Sequence, residues 1–302
     1  MPHDHTHDHR AGPADLGPAF RLAVLLNAGY VVAEAAAGFL TGSLALLADA
    51  AHNLTDVAGL LIAWAAAVLA RRAASARHSW GLGRATILAA LLNGIAILIG
   101  VVWVIWEWEA VGRLSAPVEV PGPVVMAVAG IGILVNTGTA LLFLRARHDD
   151  LNAEGAFLHM AADAAVSVAV VLAAAGIWLT GLQWLDPAVA IAVSLLIAVT
   201  AWRLTRQALH LGLDGVPEGI DLQKLARFIG DQPGVNNVHD LHVWAISTTR
   251  TALAAHVVLQ GEDRDGFLDH VTEALERDFG IGHVTLQLET APCERAGVCL
   301  AT

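Results

Sequence analysis

The segments LADAAHNLTDV (residues 47–57) and FLHMAADAAVSV (residues 157–168) decide how this sequence is interpreted. Each contains a histidine followed four residues later by an aspartate: His52 with Asp56, and His159 with Asp163. On a helix, side chains four residues apart lie on the same face. Two such helices facing each other would supply two nitrogens and two oxygens, a tetrahedral ligand set suited to zinc.

The composition places these pairs in a membrane. The chain of 302 residues is 56% hydrophobic and 15% charged, with a mean hydropathy of +0.60. This is too apolar for an ordinary soluble domain. Ionisable groups at membrane depth are costly and by default mark an ion pathway. Each pair could instead be a polar contact between helices, but the same spacing in two separate spans favours a metal site.

Six apolar runs predict an all-α, six-helix transmembrane domain, because each is near the ~20 residues that a helical span requires. They cover roughly residues 20–40, 46–70, 86–108, 122–144, 154–179 and 187–209. Basic residues concentrate in the second and fourth connections and at the exit from the sixth run: Arg71, Arg72, Arg77, Arg84, Arg145, Arg147, Arg203 and Arg206. The positive-inside rule therefore predicts that both termini are cytoplasmic.

Several polar residues inside these runs have more than one interpretation. Glu34 either lines a water-filled vestibule or hydrogen-bonds to a neighbouring helix. Asp49, one turn before the first histidine, either faces the same cavity or caps or pairs locally. Asn27, Asn93 and Asn136 are expected to hydrogen-bond between helices.

After Gly212 the periodicity predicts a small α+β domain, a sheet with helices on one face. Helices are predicted at 221–231 and 265–278, and strands at 235–246, 250–260 and 282–289. Residues 213–302 carry 14 acidic and 6 basic residues, which argues against nucleic-acid binding. Candidate metal ligands concentrate here: His239, His242, His256, His270, His283 and Glu289. His242, beside Trp244, is better explained as an ordinary polar position.

The two ends of the chain are hydrophilic. The first ten residues, MPHDHTHDHR, form a weak metal-binding tract and not a secretory signal. Cys293 and Cys299 do not resemble a disulfide framework. We therefore expect a histidine-rich cytosolic tail (1–19), a transmembrane transport domain (20–212), a cytosolic metal-binding domain (213–292), and a C-terminal tail (293–302).

Taken together, these motifs resemble the zinc-transporter branch of the cation diffusion facilitator family. The resemblance extends over about residues 20–290. It is carried by GSLALLADAAHNLTD (42–56), GLGRATILAALLNG (81–94), LHMAADAAVSVAVV (158–171), LDPAVAIAVSLLI (185–197), VHDLHVWAIS (238–247) and HVTLQLE (283–289). In the second connection, Leu82 stands where some members have a second histidine after His78, so we expect no complete metal site there.

The resemblance implies a homodimer in the lipid bilayer that exports cytosolic zinc in exchange for protons. It implies a transport site of His52, Asp56, His159 and Asp163. It also implies that the cytosolic domain (213–292) is ferredoxin-like, aids dimerisation and binds zinc through His239, His256, His283 and Glu289, with His270 as a further possible ligand. The short fourth connection favours a bacterial inner membrane.

Two alternatives to a transporter remain from the ligand chemistry. An intramembrane zinc hydrolase would need an open coordination position and a general base, and the sequence has no H-E-x-x-H motif. We therefore do not expect an enzyme. A non-transporting membrane zinc sensor is the second alternative, and only a transporter would move zinc across a sealed vesicle.

Overall fold

The computed structural model describes residues 17–107, 110–144, 151–260 and 263–291. The histidine tract, both cysteines, Arg145 and Arg147 lie outside these residues. The chain comprises two compact units. One contains the chain up to Ala58 together with Ala96–Thr200, and the other contains Gly59–Ile95 together with Ala201 to the chain end.

Long apolar helices dominate the first two thirds of the chain. They are α1 (Gly17–Thr41), α2 (Leu44–Ala70), α3 (Ala85–Glu107), the short α4 (Gly112–Ser115), α5 (Gly122–Phe143), α6 (Leu151–Thr180) and α7 (Leu185–Gly212). Among the described residues, six of these helices are long and apolar enough to cross a membrane. The predicted six spans are therefore confirmed, with ends that differ by a few residues. Large apolar side chains such as Leu25 and Leu40 are 71% and 88% exposed, as lipid-facing residues are.

Small residues let the helices of the first unit pack closely. Ala45 of α2, Ala129 of α5 and Ala174 of α6 are all buried in one apolar cluster. On α5, a Cβ at Gly122 would lie 2.7 Å from the Ala174 carbonyl oxygen, so only glycine fits. Without a hydrophobic driving force between helices in lipid, this close packing is a main source of their association.

The C-terminal part of the second unit is an α+β domain, as predicted. It consists of α8 (Leu222–Gly230), β1 (Val235–Ser247), β2 (Arg250–Leu259), α9 (Arg264–Phe279) and β3 (His283–Glu289). The sheet order is β1-β2-β3, with β1 and β2 antiparallel and β2 and β3 parallel. Buried apolar residues of the helices and strands form one core: Leu225, Ile229, Val243, Leu253, Val271 and Leu275.

Capping residues explain where the two helices of this domain begin. The Asp221 carboxylate accepts hydrogen bonds from the backbone N–H groups of Gln223 and Lys224, at 2.9 and 3.2 Å. Asp263 likewise accepts from the N–H of Gly266 at 2.9 Å. Such caps satisfy N–H groups that have no partner within the helix.

Within the second unit, the connection between α2 and α3 contacts the α+β domain. The Trp80 ring meets the His283 ring edge-on, with 4.6 Å between centroids. Arg84 forms an ion pair with Asp214. The backbone N–H of Thr248 donates to Thr86 Oγ1 at 3.0 Å. These contacts fix the start of α3 against the sheet end.

Candidate metal sites

Helices α2 and α6 bring the two His-x-x-x-Asp pairs together. His52 Nδ1 lies 3.5 Å from Asp56 Oδ2, and His159 Nε2 lies 3.6 Å from Asp163 Oδ2. Between the helices, His52 Nε2 lies 3.5 Å from Asp163 Oδ1, and His159 Nε2 lies 3.4 Å from Asp56 Oδ2. All four side chains therefore meet at one point in the first unit, which we call the intramembrane cluster.

The distances within the intramembrane cluster are compatible with a tetrahedral metal site. A tetrahedral ion with bonds of about 2.0–2.1 Å separates its ligands by roughly 3.4 Å, close to the distances here. His52 Nδ1, Asp56 Oδ2 and Asp163 Oδ2 are buried, yet have no hydrogen-bond partner among the described residues. Buried polar atoms are rarely left unpaired unless an ion or water satisfies them. His52, Asp56 and Asp163 can each place one ligand atom within 4.8 Å of the others.

The cluster is more open on one side. The Asp163 side chain is 2% exposed, whereas that of His159 is 42% exposed. A cavity of about 20 Å³ also borders His52, lined by Thr55 on α2, Val101 on α3 and Ser194 on α7. This volume is enough for a single water molecule. The cluster is therefore covered at Asp163 and exposed at His159.

Asp186 of α7 holds the start of the helix that carries His52 and Asp56. Its carboxylate accepts hydrogen bonds from Ser43 Oγ at 2.5 Å and from the backbone N–H groups of Leu44 and Ala45 at 2.6 and 3.4 Å. Asp186 therefore caps α2 from another helix, and it is 2% exposed. Sequence reasoning missed this role, because a cap normally comes from the preceding residues of the same chain segment.

A second cluster lies on the sheet of the α+β domain. His239 of β1 is the direct register partner of His256 of β2, and Glu289 of β3 lies beside them. His239 Nε2 is 3.3 Å from Glu289 Oε2, and His256 Nδ1 is 3.1 Å from Glu289 Oε1. Both ring nitrogens of His239, His256 Nδ1 and Glu289 Oε2 are buried without a hydrogen-bond partner among the described residues. These three residues form the cytosolic cluster.

Asp240 adjoins the cytosolic cluster and was not anticipated. Its Oδ2 lies 3.6 Å from His256 Nε2, and its Oδ1 hydrogen-bonds His242 Nε2 at 3.1 Å. The register of β1 against β2 shifts between His239 and His242, and Asp240 has a φ of 51°. This irregularity turns the Asp240 side chain towards His256, although strict strand alternation would place it on the opposite face.

The structure does not bring the other two predicted cytosolic ligands to this cluster. His283, at the first position of β3, packs against Trp80 instead. His270 lies exposed on α9. The spacing of the histidines along the chain did not distinguish these positions, because their distance from the cluster depends on the sheet register.

Comparison with known proteins agrees with the fold. Residues 20–211 match the cation efflux transmembrane domain, and residues 217–291 match the cytoplasmic domain of cation efflux proteins. The zinc transporter ZitB of Shigella flexneri is 39% identical over 300 residues, covering 98% of this chain and 95% of that protein. CzcD, a metal cation efflux system protein of Cupriavidus metallidurans, is 34% identical over 97% of this chain and 92% of its own.

A third relative is the cadmium, cobalt and zinc/H(+)-K(+) antiporter of Bacillus subtilis, 35% identical over 89% of this chain and 88% of its own. These matches cover both the helical part and the α+β domain. They confirm the resemblance to the cation diffusion facilitators and exclude the hydrolase alternative. The chain is a membrane-embedded transporter, not an enzyme, and belongs to the cation efflux family.

Proposed function

We propose that this protein exports zinc from the cytoplasm in exchange for protons, with the intramembrane cluster as the transport site. The observation that carries the proposal is the convergence of the four side chains of the intramembrane cluster at 3.4–3.6 Å. Three of their buried atoms have no hydrogen-bond partner in the part of the chain that the structure describes. Two imidazoles and two carboxylates form a ligand set of borderline softness in tetrahedral geometry, which suits zinc. The names of the relatives, which include zinc transporters, support this choice of metal.

Proton exchange follows from the ligand chemistry. Imidazole and carboxylate bind a metal only when deprotonated, so zinc and protons compete for the same atoms. Protons bound on the side of higher acidity displace zinc there, and zinc displaces protons on the cytoplasmic side. The B. subtilis relative is named as a proton-coupled antiporter, which supports such coupling.

The test is zinc movement into sealed vesicles that contain the purified full-length protein. A pH gradient, acid on the side that receives zinc, should accelerate uptake, and a proton-conducting ionophore should abolish that acceleration. A zinc uptake rate that is the same with and without the pH gradient would refute antiport but not zinc transport. Zinc binding without any uptake would favour the sensor alternative.

We further propose a homodimer in a bacterial plasma membrane with both termini in the cytoplasm. The distribution of arginines supports this orientation, and so does the match of residues 217–291 to the cytoplasmic domain of cation efflux proteins. The lipid bilayer and a second copy of the chain are the expected partners.

The cytosolic cluster is proposed as a second zinc site, formed by His239, His256 and Glu289 with Asp240 close enough to complete it. Two nitrogens and two oxygens again suit zinc. Because this cluster lies on the sheet and outside the membrane-spanning helices, zinc here would be resident and not in transit.

For the cytosolic cluster, we expect His239→Ala to weaken zinc binding strongly. Loss of a residue that only hydrogen-bonds to a metal ligand weakens binding roughly 10–100-fold, and loss of a ligand itself should have a larger effect. The reason is that the variant loses an imidazole whose two buried nitrogens have no hydrogen-bond partner among the described residues. Calorimetry on the full chain carrying Asp163→Asn would isolate this site. The matched control is His270→Ala on the exposed face of α9, which should leave affinity unchanged. Equal weakening by both variants would contradict the proposed ligands.

For the intramembrane cluster, we expect His52→Asp to retain zinc transport and to shift selectivity towards manganese or cadmium. The substitution replaces a borderline nitrogen with a shorter, charged oxygen ligand, which harder or larger ions accept better. Competitive uptake of paired metals at fixed pH measures the ratio. If transport persists with an unchanged ratio, His52 does not set selectivity.

A further inference from the structure

Two fully buried carboxyl groups lie beside the intramembrane cluster. Glu34 of α1 and Asp49 of α2 are both 0% exposed, and their carboxyl groups are in hydrogen-bonding contact. Asp49 lies three residues before His52 on α2. Helices α1 and α2 thus each contribute one carboxyl group to a pair that contains none of the four side chains of the intramembrane cluster.

Each of the four carboxyl oxygens faces one uncharged donor. Tyr30 Oη donates to Glu34 Oε1 at 2.7 Å. The Asn53 side-chain amide donates to Glu34 Oε2 and to Asp49 Oδ1, at 3.5 Å each. Ser167 Oγ of α6 donates to Asp49 Oδ2 at 3.4 Å. A side chain at Gly132 of α5 would collide with Tyr30 and Ser167. Helix α5 therefore packs directly against the donors of the pair and closes the site.

No permanent cation neutralises the pair in the described part of the first unit. Arg113 donates to the Gly42 carbonyl oxygen at 2.9 Å. Arg21 lies thirteen residues before Glu34 on α1, roughly 20 Å along the helix. The titratable groups that face the pair are Tyr30 of α1, His52 of α2 and Asp163 of α6. Two buried carboxylates in contact, without a cation, cannot both be ionised.

We propose that the Glu34–Asp49 pair is an exchangeable proton site, which holds one proton when the intramembrane cluster is metal-free and releases it when zinc binds there. Zinc at the intramembrane cluster places two positive charges about one helical turn from the pair. Their field lowers the free-energy cost of ionising the second carboxyl group. When zinc leaves, the proton returns to the pair. The inference rests on the proposed zinc/proton exchange and adds a proton carrier that shares no ligand atom with the metal.

The test counts the protons released for each zinc bound. Full-length protein in detergent is titrated with zinc at fixed pH, in buffers that differ in ionisation enthalpy. We expect Glu34→Gln and Asp49→Asn each to release roughly one proton fewer per zinc than wild type, because either change removes the shared proton. The control is Thr139→Val, a near-isosteric change at a fully buried polar residue of α5.

An infrared difference spectrum of wild type supplies a second readout, which tests the proposal even if a variant does not fold. Zinc binding should remove a protonated-carboxyl band from wild type. Absence of that change, or an unchanged proton count in both variants, would overturn the proposal. A loss of one bound zinc per chain in Glu34→Gln would overturn it too, by making the pair a metal site. Wild type that binds no zinc would instead refute the proposed function itself.

Discussion

Asp163→Asn should abolish zinc transport while the helices remain folded. The substitution keeps the shape of the side chain but removes the charge from the most buried ligand of the intramembrane cluster. Its Oδ2 atom has no hydrogen-bond partner among the described residues, so the substitution breaks no hydrogen bond at that atom. We expect the transport rate to fall by more than the roughly 10–100-fold that is typical when a residue hydrogen-bonded to a metal ligand is lost.

Zinc uptake into vesicles, followed with an enclosed zinc-sensitive dye, measures the effect. Asp278→Asn is the matched control, because Asp278 is an exposed aspartate of α9 that pairs only locally with Arg277 among the described residues. The variant should also elute and melt as wild type does. A wild-type rate for Asp163→Asn would show that zinc crosses elsewhere.

Asp186→Ala should have the largest effect on stability. The change would remove three hydrogen bonds at the buried start of α2, including those to two backbone N–H groups that then have no partner. Leaving a buried donor unsatisfied costs about 1–3 kcal/mol, so we expect a total loss of about 3 kcal/mol or more. Since α2 carries His52 and Asp56, transport should fall as well.

Thermal unfolding in detergent, together with vesicle uptake at low temperature, separates the two effects. Asp186→Asn retains one acceptor oxygen and should give an intermediate loss. Thr180→Ala is a suitable control, because Thr180 ends α6 with an exposed hydroxyl whose partners are local: it donates to the Gly176 carbonyl oxygen and accepts from the backbone N–H of Leu182. If Asp186→Ala melts like wild type, the cap does not hold α2.

The amino-acid sequence alone predicted what depends on local periodicity. Runs of about 20 apolar residues form helices in lipid because every backbone group must be paired within the segment. Alternating and amphipathic patterns after Gly212 likewise predicted the α+β domain. The four-residue spacing of His52 with Asp56 and of His159 with Asp163 predicted that each pair shares a helix face. None of these inferences required knowledge of which helices are neighbours.

Tertiary structure alone decided which distant side chains meet. Asp186 caps a helix that begins 142 residues earlier in the sequence, at Leu44. Glu34 could equally have faced water or a polar helix neighbour, and packing of α1 against α2 paired it with Asp49. Asp240 reaches His256 only through an irregular strand register.

The cytosolic histidines also show that sequence spacing does not reveal which residues meet. His239 and His256 become neighbours through strand pairing, whereas His283, also on a strand, meets Trp80 instead. Residue types and spacings are equally compatible with all three as ligands. A metal site depends on distances of a few ångströms between separate elements, and those distances are set by packing and register, which local sequence patterns do not encode.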